Sequence, residues 1–121
     1  MARILVVEDD ADNQELVVRF LKREGHQVVH APDGLAGVEA AEQHVPDLIL
    51  MDLGLPVLDG WEAAQRIKSN SETKHIPIIA LTAHAMSEEV SKAMKAGVDD
   101  YELKPVAYRR LMQKIAKLLK N

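Results

Sequence analysis

A few residues in this chain have types and positions suited to phosphate chemistry beside a metal ion. Three acids run together at Glu8, Asp9 and Asp10, directly after the apolar run Ile4-Leu5-Val6-Val7. Asp52 closes a second apolar run, Leu48-Ile49-Leu50-Met51. Thr82 closes a third, Ile78-Ile79-Ala80-Leu81, and Lys104 follows a short segment near Tyr101 to Leu103. Acids gathered without partners repel one another, and some take up protons. A hard divalent cation relieves that repulsion through oxygen ligands, and magnesium typically uses one or two carboxylates plus phosphate oxygens. Asp9 and Asp52 can supply the carboxylates, with Glu8 acting through water. Lys104 offers a point charge to a phosphate oxygen, and Thr82 offers a hydroxyl donor. Each residue also has an ordinary reading. The first acids suit a helix N-terminus, threonine is common at strand ends, and lysines are mostly solvated. Asp52 is harder to dismiss, because a carboxylate after four apolar residues costs stability unless it is paired.

These residues matter together only if the fold gathers them. Apolar runs and helical stretches alternate along the chain. After the first acids, Leu16, Val17, Phe20 and Leu21 have the spacing of one buried helix face, and Gly25 is placed to cap that helix. Val28-Val29 is a weak second strand, Asp33-Gly34 a turn, and Leu35 to Gln43 a second helix. Asp59 and Glu62 have capping-box spacing and start a third helix with Ala64 and Ile67 inward. A fourth helix carries Val90, Ala93 and Met94, with Gly97 beyond it. The last carries Leu111, Ile115, Leu118 and Leu119. Five strands, each followed by a helix, predict an α/β fold whose parallel sheet is covered on both faces. Right-handed crossovers then put every strand's carboxyl end on one edge. Open α/β sheets bind ligands at that edge, where the acids, the hydroxyl and the ammonium would meet.

Composition narrows the function classes. The 121 residues and 13.4 kDa fit one domain spanning 1–121, and 47% apolar residues suffice for one core. The absence of cysteine excludes disulfides and thiolate metal sites, which suits a reducing cytoplasm. The net charge of -4 and pI near 5.7 argue against direct nucleic-acid binding. No apolar run approaches the roughly 20 residues that span a membrane, and Met1-Ala2-Arg3-Ile4 enters structure too soon for a signal peptide.

The segments Val7-Glu8-Asp9-Asp10, Met51-Asp52-Leu53-Gly54-Leu55-Pro56, Asp59-Gly60, Leu81-Thr82-Ala83 and Asp100-Tyr101 through Lys104-Pro105 resemble the receiver domains of bacterial two-component response regulators. The likeness is to single-domain, chemotaxis-regulator-like members and runs from Ile4 to Leu119. It implies a flavodoxin-like (βα)5 three-layer sandwich with strand order 2-1-3-4-5. It implies that Asp52 accepts a phosphoryl group from a histidine kinase or histidine phosphotransfer protein. Magnesium or manganese would bind Asp9, Asp52 and the Gly54 backbone carbonyl, with Glu8 helping through water. Thr82 and the Ala83 amide would hold phosphoryl oxygens, while Lys104 pairs with the acceptor or its phosphate. Pro105 would follow a cis peptide bond. Thr82 and Tyr101 would act as the switch, reshaping the face of the fourth helix, fifth strand and fifth helix for a downstream protein target. The resemblance further implies a cytoplasmic monomer or weak dimer that catalyses only its own phosphorylation and dephosphorylation. With the chain stopping directly after its fifth helix, the expectation is a receiver with no output domain attached, either stand-alone or cut from a larger hybrid protein.

Some residues depart from that pattern or stand outside it. Glu8 replaces a frequent Asp, Leu103 a frequently polar residue, and Ala107 a frequent helix cap. Gly54 and His84, each two residues after a site residue, bear on water access to a phosphoryl group. His26, His30, His44 and His75 show no ligand spacing and read as surface residues, and Trp61 reads as a packing residue. Two other functions compete: a metal-dependent phosphatase with Asp52 as nucleophile, which would need an enclosing cap, and a binding module that works without phosphorylation.

Overall fold

The computed structural model describes residues 2–84 and 87–120; Met1 of the opening segment lies outside them. Ten elements alternate along the chain: β1 Arg3–Val7, α1 Ala11–Arg23, β2 Gln27–Ala31, α2 Gly34–His44, β3 Leu48–Asp52, α3 Gly60–Ser69, β4 Ile78–Thr82, α4 Glu88–Lys95, β5 Asp100–Leu103 and α5 Tyr108–Leu119. The strands pair in parallel in the order β2-β1-β3-β4-β5. This is the expected flavodoxin-like three-layer sandwich.

The near-continuous apolar strands are explained by burial on both faces. Leu5, Val7, Ile49 and Met51 point toward α2, α3 and α4, where they pack with Val38, Ala41, Ala64, Ile67, Val90 and Ala93. Ile4, Val6, Leu48, Leu50, Ile79 and Leu81 point the other way and pack with Val17 and Leu21 of α1 and Leu111 and Ile115 of α5. Each large side chain buried this way contributes about 1.5–3 kcal/mol relative to exposure. Both layers are thereby clamped to the sheet, and the carboxyl-end loops are left free to carry polar groups.

Several local expectations are corrected. Leu16 and Met94 are 52% and 45% exposed, because α1 and α4 meet the sheet through narrower stripes than their apolar periodicity suggests. Leu118 and Leu119 are only partly buried. Asp33-Gly34 is no free turn: the Asp33 carboxylate accepts from the Ala36 amide at 2.8 Å and caps α2. Asp59 makes no side-chain cap to α3, so its capping box with Glu62 does not form. Gly60 is required by close approach, since a Cβ there would run into the Asp52 carbonyl oxygen. That contact seats the start of α3 directly against the end of β3.

Candidate functional site

The ladders of the sheet run one residue past several strand ends and bring the polar groups to a common edge. The Glu8 amide donates to the Ala31 carbonyl at 3.1 Å, the Leu53 amide to Leu81 at 3.0 Å, and the Lys104 amide to Thr82 at 2.7 Å. A cleft of about 480 Å³ opens there, lined by Glu8, Asp9, Asp52, Gly54, Thr82, Ala83 and Lys104 among others. A larger cleft, about 700 Å³, lies at the opposite pole around His26, Asp47 and His75; no group of acids or histidines converges in it among the described residues.

Lys104 is the hub. Its Nζ donates to Asp52 Oδ2 at 2.7 Å and to Glu8 Oε1 at 3.2 Å. Asp52 Oδ1 accepts from the Gly54 amide at 2.9 Å, which orients the carboxylate through the loop that follows it. Both acids are almost inaccessible, Glu8 at 1% and Asp52 at 5%. One ammonium thus stands against two buried carboxylates, and the protonation equilibria reflect the imbalance. Burial, together with the adjoining Asp52, pushes Glu8 up to about 7, against the opposing pull of Lys104 and the Asp10 amide. Burial alone would also raise Asp52, but hydrogen bonds from Glu8, Lys104 and the Gly54 amide outweigh it and hold Asp52 below its ordinary value. Lys104 is likewise disfavoured by burial, yet its contacts with Asp52 and Glu8 raise it overall. Near neutrality Asp52 is ionised, Lys104 is charged, and Glu8 sits at its titration point.

Asp9 completes the arrangement. Its carboxylate is exposed, and Glu8, Asp9 and Asp52 each offer an oxygen such that all three lie within 4.8 Å of one another. An all-oxygen donor set with an excess of negative charge fits a hard divalent cation of the magnesium type. Thr82 is held within its own loop: its Oγ1 accepts from the His84 amide at 3.2 Å and donates to the His84 carbonyl at 3.3 Å. Tyr101 lies outside this cleft. It packs, half-buried, against the core on the α2–α4 side, with the Lys114 ammonium 5.7 Å from its ring centroid. The Lys104-Pro105 bond is cis.

Three further residues line the cleft, Asn13, Asp59 and Glu89; the sequence does not mark them as site residues, because they sit at helix starts, where acids and amides are ordinary. His30 is exposed, as the sequence reading has it, and its Nε2 also lies 2.9 Å from the Glu8 carbonyl oxygen. Nothing in the local sequence signals that contact. It depends on β2 lying beside β1 in this register.

The model of the response regulator receiver domain matches residues 4–116. The chain belongs to the receiver domain family. Receiver domains are signalling domains of two-component systems, phosphorylated on an aspartate, and the acid cleft described above is consistent with their magnesium site. Among curated proteins, the chain is 39% identical over 118 residues to the sensor protein GacS of Pseudomonas syringae pv. syringae, covering 95% of this chain but 13% of that protein. It is 34% identical over 116 residues to the polar-differentiation response regulator DivK of Brucella anthropi, covering 96% of this chain and 94% of DivK. Among solved structures, it superposes on the receiver domain of the sensor histidine kinase PA1611 from Pseudomonas aeruginosa PAO1 with a TM-score of 0.93 and 36% identity, covering 99% and 98% of the two chains. That structure has a magnesium ion coordinated in its active-site cleft. The chemotaxis protein CheY4 of Vibrio cholerae gives a TM-score of 0.90 at 26% identity, covering 98% of each chain. Among the described residues of this receiver domain, no helix is long and apolar enough to cross a membrane.

Proposed function

We propose that Asp52 is the phosphoryl acceptor of this receiver domain, served by a phosphohistidine on a histidine kinase or histidine phosphotransfer protein. The observation that carries this reading is the setting of Asp52: buried, hydrogen-bonded at both oxygens, and 2.7 Å from an ammonium that can follow the charge. A carboxylate oxygen of Asp52 forms a bond to phosphorus while the bond from phosphorus to the donor imidazole nitrogen breaks. The imidazole leaves with the electron pair of that bond. Lys104 passes from pairing the carboxylate to pairing a phosphoryl oxygen. Thr82 leaves its His84 contacts to donate to a second phosphoryl oxygen, and the Ala83 amide serves a third. The catalysis is positioning and charge compensation, with no acid-base relay.

Glu8, Asp9, Asp52 and the Gly54 carbonyl would hold Mg2+ or Mn2+. When bound, such an ion supplies neutralising charge for the phosphoryl oxygens. Displacement of Thr82 opens space beside β4 that the Tyr101 ring can enter, which redistributes the face made by α4, β5 and α5 between two states. Met94 and Leu103 are exposed apolar side chains on elements of that face, where a downstream protein would dock. The test is incubation with acetyl phosphate and Mg2+ followed by intact mass. The wild type is expected to gain a single phosphoryl group and Asp52→Ala none; labelling of Asp52→Ala would overturn the assignment.

A further inference from the structure

We infer that His30 is a positioning residue for the acid corner, a role that rests on the metal reading above. His30 lies on the edge strand β2, in register with Val6, and its imidazole reaches past the end of β1. A carbonyl oxygen only accepts, so the 2.9 Å contact with Glu8 requires the hydrogen to be on Nε2. The amide of the same residue, Glu8, donates to the Ala31 carbonyl at 3.1 Å. The end of β2 therefore grips the Glu8 backbone at both its N–H and its C=O, which restrains φ and ψ together.

The next residues show what this grip controls. The Asp10 amide donates to Glu8 Oε2 at 3.3 Å, and the Asp10 carboxylate accepts from the Asn13 amide at 3.0 Å as the cap of α1. Asp9 is thus strung between two tethered residues. Its own carboxylate has no hydrogen bond or ion pair among the described residues. What aims that carboxylate at Asp52 is the Glu8–Asp9 peptide, whose carbonyl His30 holds. Without the imidazole the carbonyl would turn to water, and the peptide plane would gain freedom that a bound cation must then remove. Groups one step behind metal ligands set affinity through such orientation.

The experiment is an Mg2+ titration followed by amide shifts in 15N NMR, on wild type, His30→Gln and His30→Leu, with melting temperatures recorded for each. Gln presents an amide donor at similar reach, whereas Leu presents none; His30→Val is the second donorless variant should His30→Leu fail to fold. The donorless variant is expected to bind Mg2+ about tenfold more weakly, and His30→Gln to stay within about threefold of wild type. In the metal-free protein the Asp9 amide shift should move in His30→Leu and stay in place in His30→Gln. Wild-type affinity in the donorless variant, or equal losses in both variants, would overturn the role of His30. A wild-type chain that ignores Mg2+ would instead overturn the metal reading, and the metal-free Asp9 shift would then decide whether His30 orients that peptide.

Discussion

Two residues apart, Glu102 and Lys104 stand at the centres of two ion clusters built in opposite senses. Lys104 is one ammonium against two buried carboxylates, Glu8 and Asp52. Glu102, itself 3% exposed, is one carboxylate between two cations. Arg110 Nε is 3.0 Å from its Oε2, and the Lys114 ammonium is 3.0 Å from Oε1 as a charge contact rather than an aligned hydrogen bond. The two differ in where the surplus charge goes. The Arg110 side chain is 62% exposed, and Lys114 also meets Asp100 at 3.4 Å, so the cationic surplus is shared with water and a second acid. The surplus of the Lys104 cluster lies on Glu8 and Asp52, which water barely reaches. It must take up a proton or a cation. The Glu102 cluster pins α5 to β5 and is balanced in charge as it stands. The Lys104 cluster is completed only by a ligand, which is why chemistry belongs there.

Removing each hub should have the largest effect. Lys104→Met leaves two buried carboxylates uncompensated, and without metal above neutral pH it should cost about 3 kcal/mol in urea unfolding. Added Mg2+ should restore part of that loss. Glu102→Gln should cost less, about 1–2 kcal/mol, because both cations it releases can reach water. Equal or reversed costs would mean that the two clusters do not differ as described.

A smaller effect, through pH, is expected of the Lys104 cluster. Glu8 titrates near 7 in the folded metal-free protein, against an ordinary value of 4.5. Between those values the unfolded chain has released this proton while the folded chain keeps it, so folding stability falls as pH rises and levels off above about 7. Asp52 works in the opposite sense and at lower pH: its contribution is present above 3.8 and is lost as pH falls further. Metal-free Glu8→Gln should therefore lose the decline between 4.5 and 7 seen in wild type. An unchanged slope in urea midpoints against pH would remove Glu8 as the group that carries the surplus.

The smallest effect concerns the helix that closes the Glu102 cluster. Ala107 is the N-cap of α5 and makes no side-chain cap, with Arg109 and Arg110 in the first turn. Ala107→Asp should supply an acceptor and favourable charge there. The expected gain is about 1 kcal/mol, or about 3–5 °C in melting temperature. A variant that melts no higher would show that the bare start of α5 is already satisfied.

How much of this was legible in the sequence depended on whether a residue's role is local. The apolar runs before Asp52 and Thr82 announced buried strands, and in the structure each of those two residues is the last of its strand. Gly25 and Gly97 were readable as helix stops, and both take positive φ, 89° and 105°. Edge strand β2 was underestimated because Val28-Val29 is its only apolar run, with Gln27 and His30 on either side; pairing with β1 extends it to Gln27–Ala31 and buries Ala31. The convergence of Glu8, Asp9, Asp52 and Lys104 was legible because parallel topology alone puts strand ends together. The near-complete burial of Glu8, read from sequence as acting through water, was not: it depends on Lys104 and Asp52 closing over it. Asp59 shows the reverse failure, a correct-looking local motif overridden when Gly60 is drawn against the β3 backbone.

The Glu8–Asp52–Lys104 cluster is one positive charge short, and a proton and a divalent cation compete to supply it. The most direct test is Mg2+ affinity measured by calorimetry across pH, with proton release read from buffers of different ionisation enthalpy. Affinity should fall as pH drops below about 7, with release of close to one proton per ion bound there, and Glu8→Gln should release none. Mg2+ binding that is independent of pH across that range, with no proton released by the wild type, would contradict that competition.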